Sequence, residues 1–295
     1  MNQPKLLAIG DNVCDKYLSR NKMYPGGQSV NTSVYASMNQ TPAAFLGKFG
    51  DDAVGDCIKN TLDLLGVDRS HCRQYSGESG FALVTQNGSD RVFLGSNKGG
   101  IAKDHPYAFT GDDLAYMKQF RVIYSNLNAY LEEELPTVSA TGVPIAFDFS
   151  DSWTDSYLSR ICPYIQIALL SCAHLNDAER KAEMEKVAVL GVPLVLGTAG
   201  EKGSYALYNE EFCYTEAVHA DNVIDTMGAG DSYFAAFLCS LISSAEGDLL
   251  PQGQKGKNVS RIRAAMKTGA AFAAKVCTME GAFGYGTPIV GRTEV

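Results

Sequence analysis

The stretch Asp225-Thr226-Met227-Gly228-Ala229-Gly230-Asp231 carries the most information about this chain. Its small residues leave the backbone open, and the apolar positions that begin at Phe234 predict a helix directly behind it. A glycine-rich turn leading into a helix presents unpaired N–H groups and the positive end of the helix dipole. Such a turn stabilises the negative charge of a transferring phosphoryl group, and the Asp231 carboxylate is placed to take a proton from an attacking hydroxyl. Taken alone, Gly-Ala-Gly-Asp also fits a helix cap with glycines that serve packing.

The segments before this turn alternate between short apolar runs and helical stretches. The strand candidates are residues 122–124, 144–149, 165–170 and 193–196. This alternation implies right-handed crossovers and a mostly parallel sheet that helices cover on both faces. The expected fold class is therefore α/β in three layers.

The first hundred residues mix this pattern with additional strand material. An apolar run at 6–9 ends in Gly10-Asp11-Asn12, and a helix over 28–38 begins after Gly26-Gly27. Residues 13–25 suit short exposed strands, and Asn87-Gly88 predicts a hairpin between 81–86 and 91–94. We expect a single domain over 1–295 with a small β lid built from about 13–25 and 76–98, and a loop over 243–258.

Composition limits the partners and the compartment. The net charge is −8 and there is no run of basic residues, so nucleic acid and anionic membranes are not expected partners. No apolar run approaches the ~18 residues of a membrane helix, and the N-terminal run is too short for a signal peptide. Eight cysteines are scattered singly, which favours reduced thiols and a cytoplasmic setting. The four histidines lack metal-ligand spacing, so we expect structural or surface roles for them.

The string at 225–231 resembles the C-terminal signature of the ribokinase/PfkB family, and further strings match in the expected order. Gly10-Asp11-Asn12 followed by Gly26-Gly27-x-x-x-Asn31 resembles the family's sugar-binding opening. The resemblance implies a ribokinase-like fold, with Asp231 as catalytic base and Gly228, Ala229 and Gly230 as the anion-binding turn. It also implies that the sugar is bound by Asp11, Asn12, Gly26, Gly27 and Asn31.

Three other strings resemble the family's nucleotide and metal sites. Thr198-Ala199-Gly200-Glu201-Lys202-Gly203 resembles the nucleotide loop, and Ala270–Lys275 resembles a helix that borders adenine. Asn176-x-x-Glu179 matches a motif whose glutamate orients water-coordinated Mg²⁺, although alone it is an ordinary helix start. The resemblance implies ATP and Mg²⁺, with K⁺ as a further ion near Asp225. The implied nucleotide contacts are Asn176, Thr198, Gly200, Gly203, Thr226 and Ala274.

Within the family, the nearest resemblance is to fructoselysine 6-kinases, which phosphorylate Amadori products. It rests on strings such as Phe147-Asp148-Phe149-Ser150-Asp151-x-Trp153, whereas Gln28 departs from the asparagine expected there. A fructosamine would be phosphorylated on a primary hydroxyl. Asp15 would then pair with its secondary ammonium, and Arg91 with its carboxylate.

Other functions remain open from the sequence. The alternatives are a PfkB-type kinase for fructose, 2-keto-3-deoxygluconate, ribose or a nucleoside, and a non-catalytic sugar sensor on the same fold. A sensor need not keep Asp231, the glycine turn and Glu179. The sequence has neither the Gly-x-Gly-x-x-Gly of a dinucleotide fold after its first strand nor a P-loop motif. Relatives also suggest a homodimer formed through exposed lid strands.

Overall fold

An eight-stranded sheet forms the body of the protein. The structure, a computed structural model, describes residues 5–87 and 90–295, and for residues 87, 90 and 91 it describes the backbone. The sheet order is β14-β13-β12-β11-β10-β9-β1-β4, and β13 runs in the direction opposite to the other seven strands. The strands are β1 (Leu6–Ile9), β4 (Ala43–Leu46), β9 (Val122–Asn126), β10 (Ile145–Asp148), β11 (Ile167–Ser171), β12 (Leu194–Thr198), β13 (Ser204–Tyr208) and β14 (Glu211–Thr215).

Helices cover both faces of this sheet, which gives the expected three layers. One apolar core lies between the sheet and α1 (Gln28–Met38), α2 (Ala53–Leu64), α8 (Ala229–Ser243) and α9 (Lys255–Val276). A second core lies on the other face, under α4 (Gly111–Met117), α5 (Leu135–Ser139), α6 (Asp155–Ile161) and α7 (Asp177–Val189). The remaining short helix, α3, spans Ile101–Asp104. The predicted α/β class and the four predicted strands are confirmed, with ends that shift by a few residues.

A smaller five-stranded sheet, here called the lid sheet, contains strands from both segments assigned to the lid. Its order is β15-β3-β2-β7-β8, and β7 and β8 form the antiparallel pair expected on either side of Asn87-Gly88, although the turn itself lies outside the described residues. The strands are β2 (Val13–Tyr17), β3 (Lys22–Gly26), β7 (Gly80–Asn87), β8 (Asp90–Ser96) and β15 (Thr287–Pro288). Two further short strands, β5 (Lys48–Phe49) and β6 (Arg73–Gln74), pair with each other.

The expectation that residues 13–25 form exposed strands is wrong. Most side chains of β2 and β3 are buried, because α2 packs against both strands and β15 of the C-terminal segment pairs with β3. Lys16, for example, is fully buried and donates from Nζ to the carbonyl of Arg292 at 2.7 Å. The local sequence does not predict the burial of β2 and β3, because the segments that pack against them lie far away along the chain.

The loop expected over 243–258 is shorter than predicted. Helix α8 ends at Ser243 and α9 begins at Lys255, so the last four residues of the expected loop are helical. Asn258 is fully buried and donates to the Tyr208 hydroxyl at 2.8 Å and to the Pro251 carbonyl at 2.9 Å. These contacts with β13 and with the loop hold the first turn of the helix in place.

Two further features concern the whole described chain. None of the helices in residues 5–87 and 90–295 has the length and apolar character that a membrane crossing requires. The eight cysteines, all of which lie in the described ranges, are recorded outside disulfides.

Candidate active site

Polar side chains meet at the carboxyl ends of three neighbouring strands of the main sheet. Asp11 follows β1, Asn126 ends β9 and Asp148 ends β10. In an open α/β sheet this edge is where ligands bind. Asn126 donates from Nδ2 to Asp11 Oδ1 at 2.8 Å, and Asp148 is 2% exposed. The three residues therefore form one polar surface at the sheet edge.

Asp11 is fixed by the start of helix α1. Its two carboxylate oxygens accept hydrogen bonds from the backbone N–H groups of Gln28, at 2.9 Å, and Ser29, at 3.0 Å. Gly27 has φ +100°, and a Cβ there would lie 3.0 Å from Asp11 Oδ2 and from backbone atoms. Only glycine suits this conformation and this close approach. The predicted pair of Gly27 and Asp11 is thus brought together.

Asn31 joins the sugar-binding opening to the glycine turn. It donates from Nδ2 to Asp231 Oδ2 at 2.6 Å, a contact between α1 and the first turn of α8. This bond fixes the orientation of the amide, because only its nitrogen can donate to a carboxylate. Asn31 Oδ1 is consequently turned away from Asp231, and it is buried with no protein partner in the described part of the chain.

A second buried acceptor lies at the same opening. Asn12 donates from Nδ2 to the Lys48 carbonyl at 2.9 Å, which leaves its buried Oδ1 without a partner among the described residues. A Cβ built at Gly26 would lie 2.7 Å from Asp15 Oδ2 and 3.6 Å from Asn31 Oδ1. Asp15 and Asn31 therefore approach the same space, and the free amide oxygens suit hydroxyl donors from a sugar.

The glycine turn has a different structural basis at each glycine. Gly228 is the N-cap of α8 with φ +74°, and a Cβ there would collide with the Tyr35 hydroxyl, which donates to the Ala282 carbonyl at 2.6 Å. At Gly230, by contrast, a Cβ would meet no atom within 4 Å. The first intrahelical bond runs from Ser232 N to the Gly228 carbonyl at 2.8 Å, so the Gly230 amide precedes the helical ladder.

The amino end of α8 opens into a cavity of about 390 Å³. Five residues assigned to the nucleotide line it, together with two residues of the turn: Thr198, Gly200, Gly203, Thr226, Ala274, Ala229 and Gly230. The cavity walls also include residues of the loop between β14 and α8 that the sequence analysis did not find, among them Glu216, Val218 and Val223. His219, expected to be structural or on the surface, lines the cavity as well.

Asn176 and Glu179 lie outside this cavity lining. They form a capping box at the start of α7, where the Asn176 side chain accepts from the amides of Ala178 and Glu179. Glu179 Oε2 accepts from the Asn176 amide at 2.8 Å. Both side chains are exposed, which leaves the second carboxylate oxygen of Glu179 open to solvent. The side chain of Arg91 lies outside the described residues.

Asp225 is fully buried below the glycine turn. Its carboxylate accepts from the Met227 amide at 3.0 Å, the Tyr17 hydroxyl at 2.8 Å and the Gly281 amide at 3.2 Å. These bonds connect the turn to the lid sheet and to the C-terminal segment. These three donors are neutral groups, and none of the ion pairs in the described ranges includes Asp225.

Electrostatic coupling links the carboxylates of the site. Burial, followed by the charge of Asp231, raises the pKa of Asp148 to about 8, and the charge of Asp11 adds to this. The Gln28 side chain, which lowers the pKa of Asp148 in part, accepts from Asn128 Nδ2 at 2.8 Å. Sequence reasoning gave Asn126 no role, and it used Asp148 only as part of the string that resembles fructoselysine 6-kinases, without a role of its own.

Comparison with known proteins assigns this fold and site to a class. The model of the pfkB family carbohydrate kinases matches residues 3–285. This chain belongs to that family, and it is a phosphotransferase that acts on a sugar hydroxyl.

Similar proteins include two fructosamine-related kinases. The fructosamine kinase FrlD of Bacillus subtilis (strain 168) is 35% identical over 96% of this chain and 94% of its own length. The fructoselysine 6-kinase of Escherichia coli (strain K12) is 33% identical over 94% of this chain and 99% of its own. Among solved structures, Arabidopsis thaliana ribokinase complexed with ribose and ATP superposes with a TM-score of 0.77 at 21% identity, covering 96% of this chain and 95% of the other. Giardia lamblia ribokinase gives 0.82 at 19% identity, covering 95% of both chains. These superpositions support the predicted ribokinase-like fold.

Proposed function

We propose that this protein transfers the γ-phosphoryl group of ATP to the primary hydroxyl of a fructosamine such as fructoselysine, with Asp231 as the general base. The observation that carries the proposal is the hydrogen bond between Asn31 and Asp231. It connects the sugar-binding opening to the residue that follows the anion-binding turn. One carboxylate therefore lies next to both the sugar opening and the nucleotide cavity.

The residues of the site support a direct transfer. The acceptor hydroxyl lies between Asp231 and the phosphoryl group and gives its proton to the Asp231 carboxylate as the new O–P bond forms. The bond between the γ-phosphorus and the bridging oxygen of ATP breaks in the same step, and its electron pair leaves with ADP. The turn at 228–230 directs backbone N–H groups and the positive helix end towards the transferring group. ATP lies in the cavity beside Gly230 and Ala274, which is wide enough there because both side chains are small.

The buried acceptors support a polyhydroxylated substrate that also carries a positive charge. Asn12 Oδ1 and Asn31 Oδ1 accept from sugar hydroxyls, and both are buried without protein partners among the described side chains. Asp15 is 4% exposed and approaches the same space, where it pairs with the secondary ammonium of a fructosamine. Arg91, on β8 of the lid sheet, pairs with the carboxylate of the amino acid. The names of the two bacterial relatives favour this substrate class over fructose.

Mg²⁺ accompanies ATP in this proposal. When bound, the ion neutralises charge on the phosphates. Glu179 fits a contact through water, because its carboxylate is exposed and only one of its oxygens has a partner among the described residues. No cluster of three or more histidine, cysteine, aspartate or glutamate side chains in the described ranges could hold a metal ion. This agrees with an ion held mainly by water and nucleotide.

K⁺ is proposed close to Asp225. The carboxylate is fully buried and has only neutral donors around it, so a nearby cation would offset its charge. Backbone carbonyl groups of the adjoining loops would supply most of the ligands. The melting temperature in KCl should exceed that in choline chloride at equal ionic strength, and equal values would contradict the proposal.

In this proposal the whole chain is a single domain that includes the lid sheet. The lid sheet also joins two copies of the protein into a homodimer. Strand β8 lies at the edge of the sheet, and Val92, Phe93 and Leu94 are 43%, 56% and 53% exposed. Consecutive exposed apolar side chains on an edge strand favour pairing with another strand.

The test of the substrate is a comparison of kcat/KM for fructoselysine and fructose. We expect fructoselysine to be preferred by at least about tenfold, or ~1.4 kcal/mol of transition-state binding. The Arg91→Ala variant should lose part of the preference, because the charged partner of the amino-acid carboxylate is gone. If fructose or a ketoacid were preferred by that factor in the parent, the fructosamine assignment would fail and the kinase class would stand.

A further inference from the structure

Tyr17 connects the lid sheet to the glycine turn through one buried hydrogen bond. It is the last residue of β2, its side chain is fully buried, and its hydroxyl donates to Asp225 Oδ2 at 2.8 Å. The two residues are 208 positions apart in the chain. Tyr17 lies outside the lining of the nucleotide cavity, so an effect of this tyrosine on the turn passes through Asp225.

Asp225 passes the position of Tyr17 on to the turn. Its Oδ1 accepts from the Met227 amide at 3.0 Å, whereas its Oδ2 accepts from Tyr17 and from the Gly281 amide at 3.2 Å. Met227 directly precedes Gly228, the N-cap of α8. A carboxylate is a rigid, planar group, so its two oxygens move together. The start of the glycine turn is therefore tied to the end of β2.

The same strand carries Asp15, the proposed partner of the substrate's ammonium. Residues two positions apart on a strand lie on the same face, about 7 Å from each other, so Asp15 and Tyr17 share one side of β2. Asp15 Oδ2 lies at the sugar opening, 2.7 Å from a Cβ built at Gly26. β2 is held along its whole length, because it pairs with β3 on one side and with β7 on the other. One fixed strand therefore carries both a sugar contact and the anchor of the turn.

The ring of Tyr17 has little freedom to move its hydroxyl. Tyr24 packs edge-on against it, with ring centroids 5.3 Å apart and planes at 79°, and the Arg20 guanidinium carbon lies 5.4 Å from the ring centre. Tyr24 is itself fixed, because its hydroxyl donates to Glu280 Oε2 at 2.8 Å. Phenylalanine at position 17 would keep this packing and remove only the donor to Asp225.

We propose that Tyr17 is a positioning residue that sets the distance between the bound sugar and the glycine turn by holding Asp225 from the lid strand. The inference rests on the proposed function, which places the sugar beside Asp15 and the transferring phosphoryl group at residues 228–230. Transfer requires the acceptor hydroxyl and the phosphorus to meet in line, and a small misplacement costs much of the rate. Tyr17 itself touches neither substrate and exchanges no proton.

The test is the steady-state kinetics of Tyr17→Phe and the parent, with sugar and ATP each varied. We expect kcat to fall at least about tenfold, because the anchor of the turn loses one of its hydrogen bonds. The KM for sugar should stay within about threefold, since every proposed sugar contact remains. If the bond served folding alone, the melting temperature would drop while the kcat of folded protein stayed parental, and that result would overturn the inference.

Tyr116→Phe is the matched control for the loss of such a bond. The Tyr116 hydroxyl, on α4, also donates to an aspartate, Asp68 Oδ2, at 2.7 Å, so its removal should leave kcat unchanged. Asp225→Asn answers the same question should Tyr17→Phe fail to fold. An amide has one acceptor oxygen, which cannot hold Met227 and Tyr17 as the two carboxylate oxygens do. Its kcat should also fall at least about tenfold with the sugar KM kept, and a parental kcat would overturn the inference.

The outcome for Tyr17 is separable from the outcome for the proposed function. The ratio of kcat in Tyr17→Phe to kcat in the parent is measured with fructoselysine and again with fructose. A preference of the parent for fructose would contradict the fructosamine assignment, and the ratio would still decide the role of Tyr17. A ratio near one with both sugars would overturn the inference and leave the proposed function standing.

Discussion

Replacing Asn31 by alanine tests the link between the sugar opening and the catalytic base. Asn31 donates to Asp231 Oδ2 at 2.6 Å, and hydrogen bonds to charged groups contribute ~1.5–3 kcal/mol. At ~1.4 kcal/mol per factor of ten, the loss should lower kcat/KM by about 10- to 150-fold. Alanine has a higher helix propensity than asparagine, so α1 itself should not lose stability.

The measurement is steady-state kinetics with varied sugar at saturating ATP, together with a thermal melt. Asn39→Ala is the matched control, because Asn39 caps the other end of α1 and its side chain donates to the Tyr35 carbonyl at 2.8 Å, away from Asp231. We expect both kcat and the KM for sugar to suffer in Asn31→Ala, since the same amide orients the base and offers Oδ1 to the sugar. A folded Asn31→Ala variant with kcat/KM within about threefold of the parent would refute this reasoning.

Three further predictions address the nucleotide, the metal and the assembly. Gly230→Val should fold normally but raise the KM for ATP at least about tenfold, because its side chain enters open space in the cavity. The control is Gly256→Val, which lies at the same position of α9 with equally open surroundings. If Gly230→Val had the ATP kinetics of the parent, the anion site would lie elsewhere. Glu179→Gln should keep the helix cap but raise the Mg²⁺ concentration needed for half-maximal rate. The control, Glu185→Gln on the same helix, should leave that concentration unchanged. Identical Mg²⁺ titrations of the parent and Glu179→Gln would count against the role of Glu179. Phe93→Glu should convert the dimer into a monomer in light-scattering measurements. The control, Val189→Glu at an 86% exposed position, should remain a dimer. A monomeric parent would contradict the homodimer.

Much of the site could be predicted from local sequence because local conformation requires particular residues there. Gly27 and Gly228 have left-handed φ values that glycine adopts readily, so their spacing from Asp11 and Asp231 is visible in the sequence. Resemblance to a family then supplied the chemistry. Thr198, Gly200 and Gly203 were assigned to the nucleotide from their resemblance to the family's loop, and all three line the same cavity.

The remaining features depend on packing between distant segments. Asn31 and Asp231 are 200 positions apart, and their bond exists only because α1 packs against α8. Asp148 becomes unusual only when burial and neighbouring charges combine, which no string of residues around it reveals. The same holds for β2 and β3, where a C-terminal segment covers strands that look amphipathic in isolation. The cavity wall around His219 is a loop with no motif, so sequence reasoning had no signal there.

The Asp231→Asn variant tests the central claim most directly. Asparagine keeps the shape of the side chain but has no basic carboxylate, so turnover of fructoselysine with ATP should fall by roughly 10²–10⁴. The fold and the binding of ATP should remain, as judged by thermal melting with and without nucleotide. Asp112→Asn is the control, because Asp112 occupies the first turn of α4 and is exposed. Near-parental turnover in a folded Asp231→Asn protein would contradict the account.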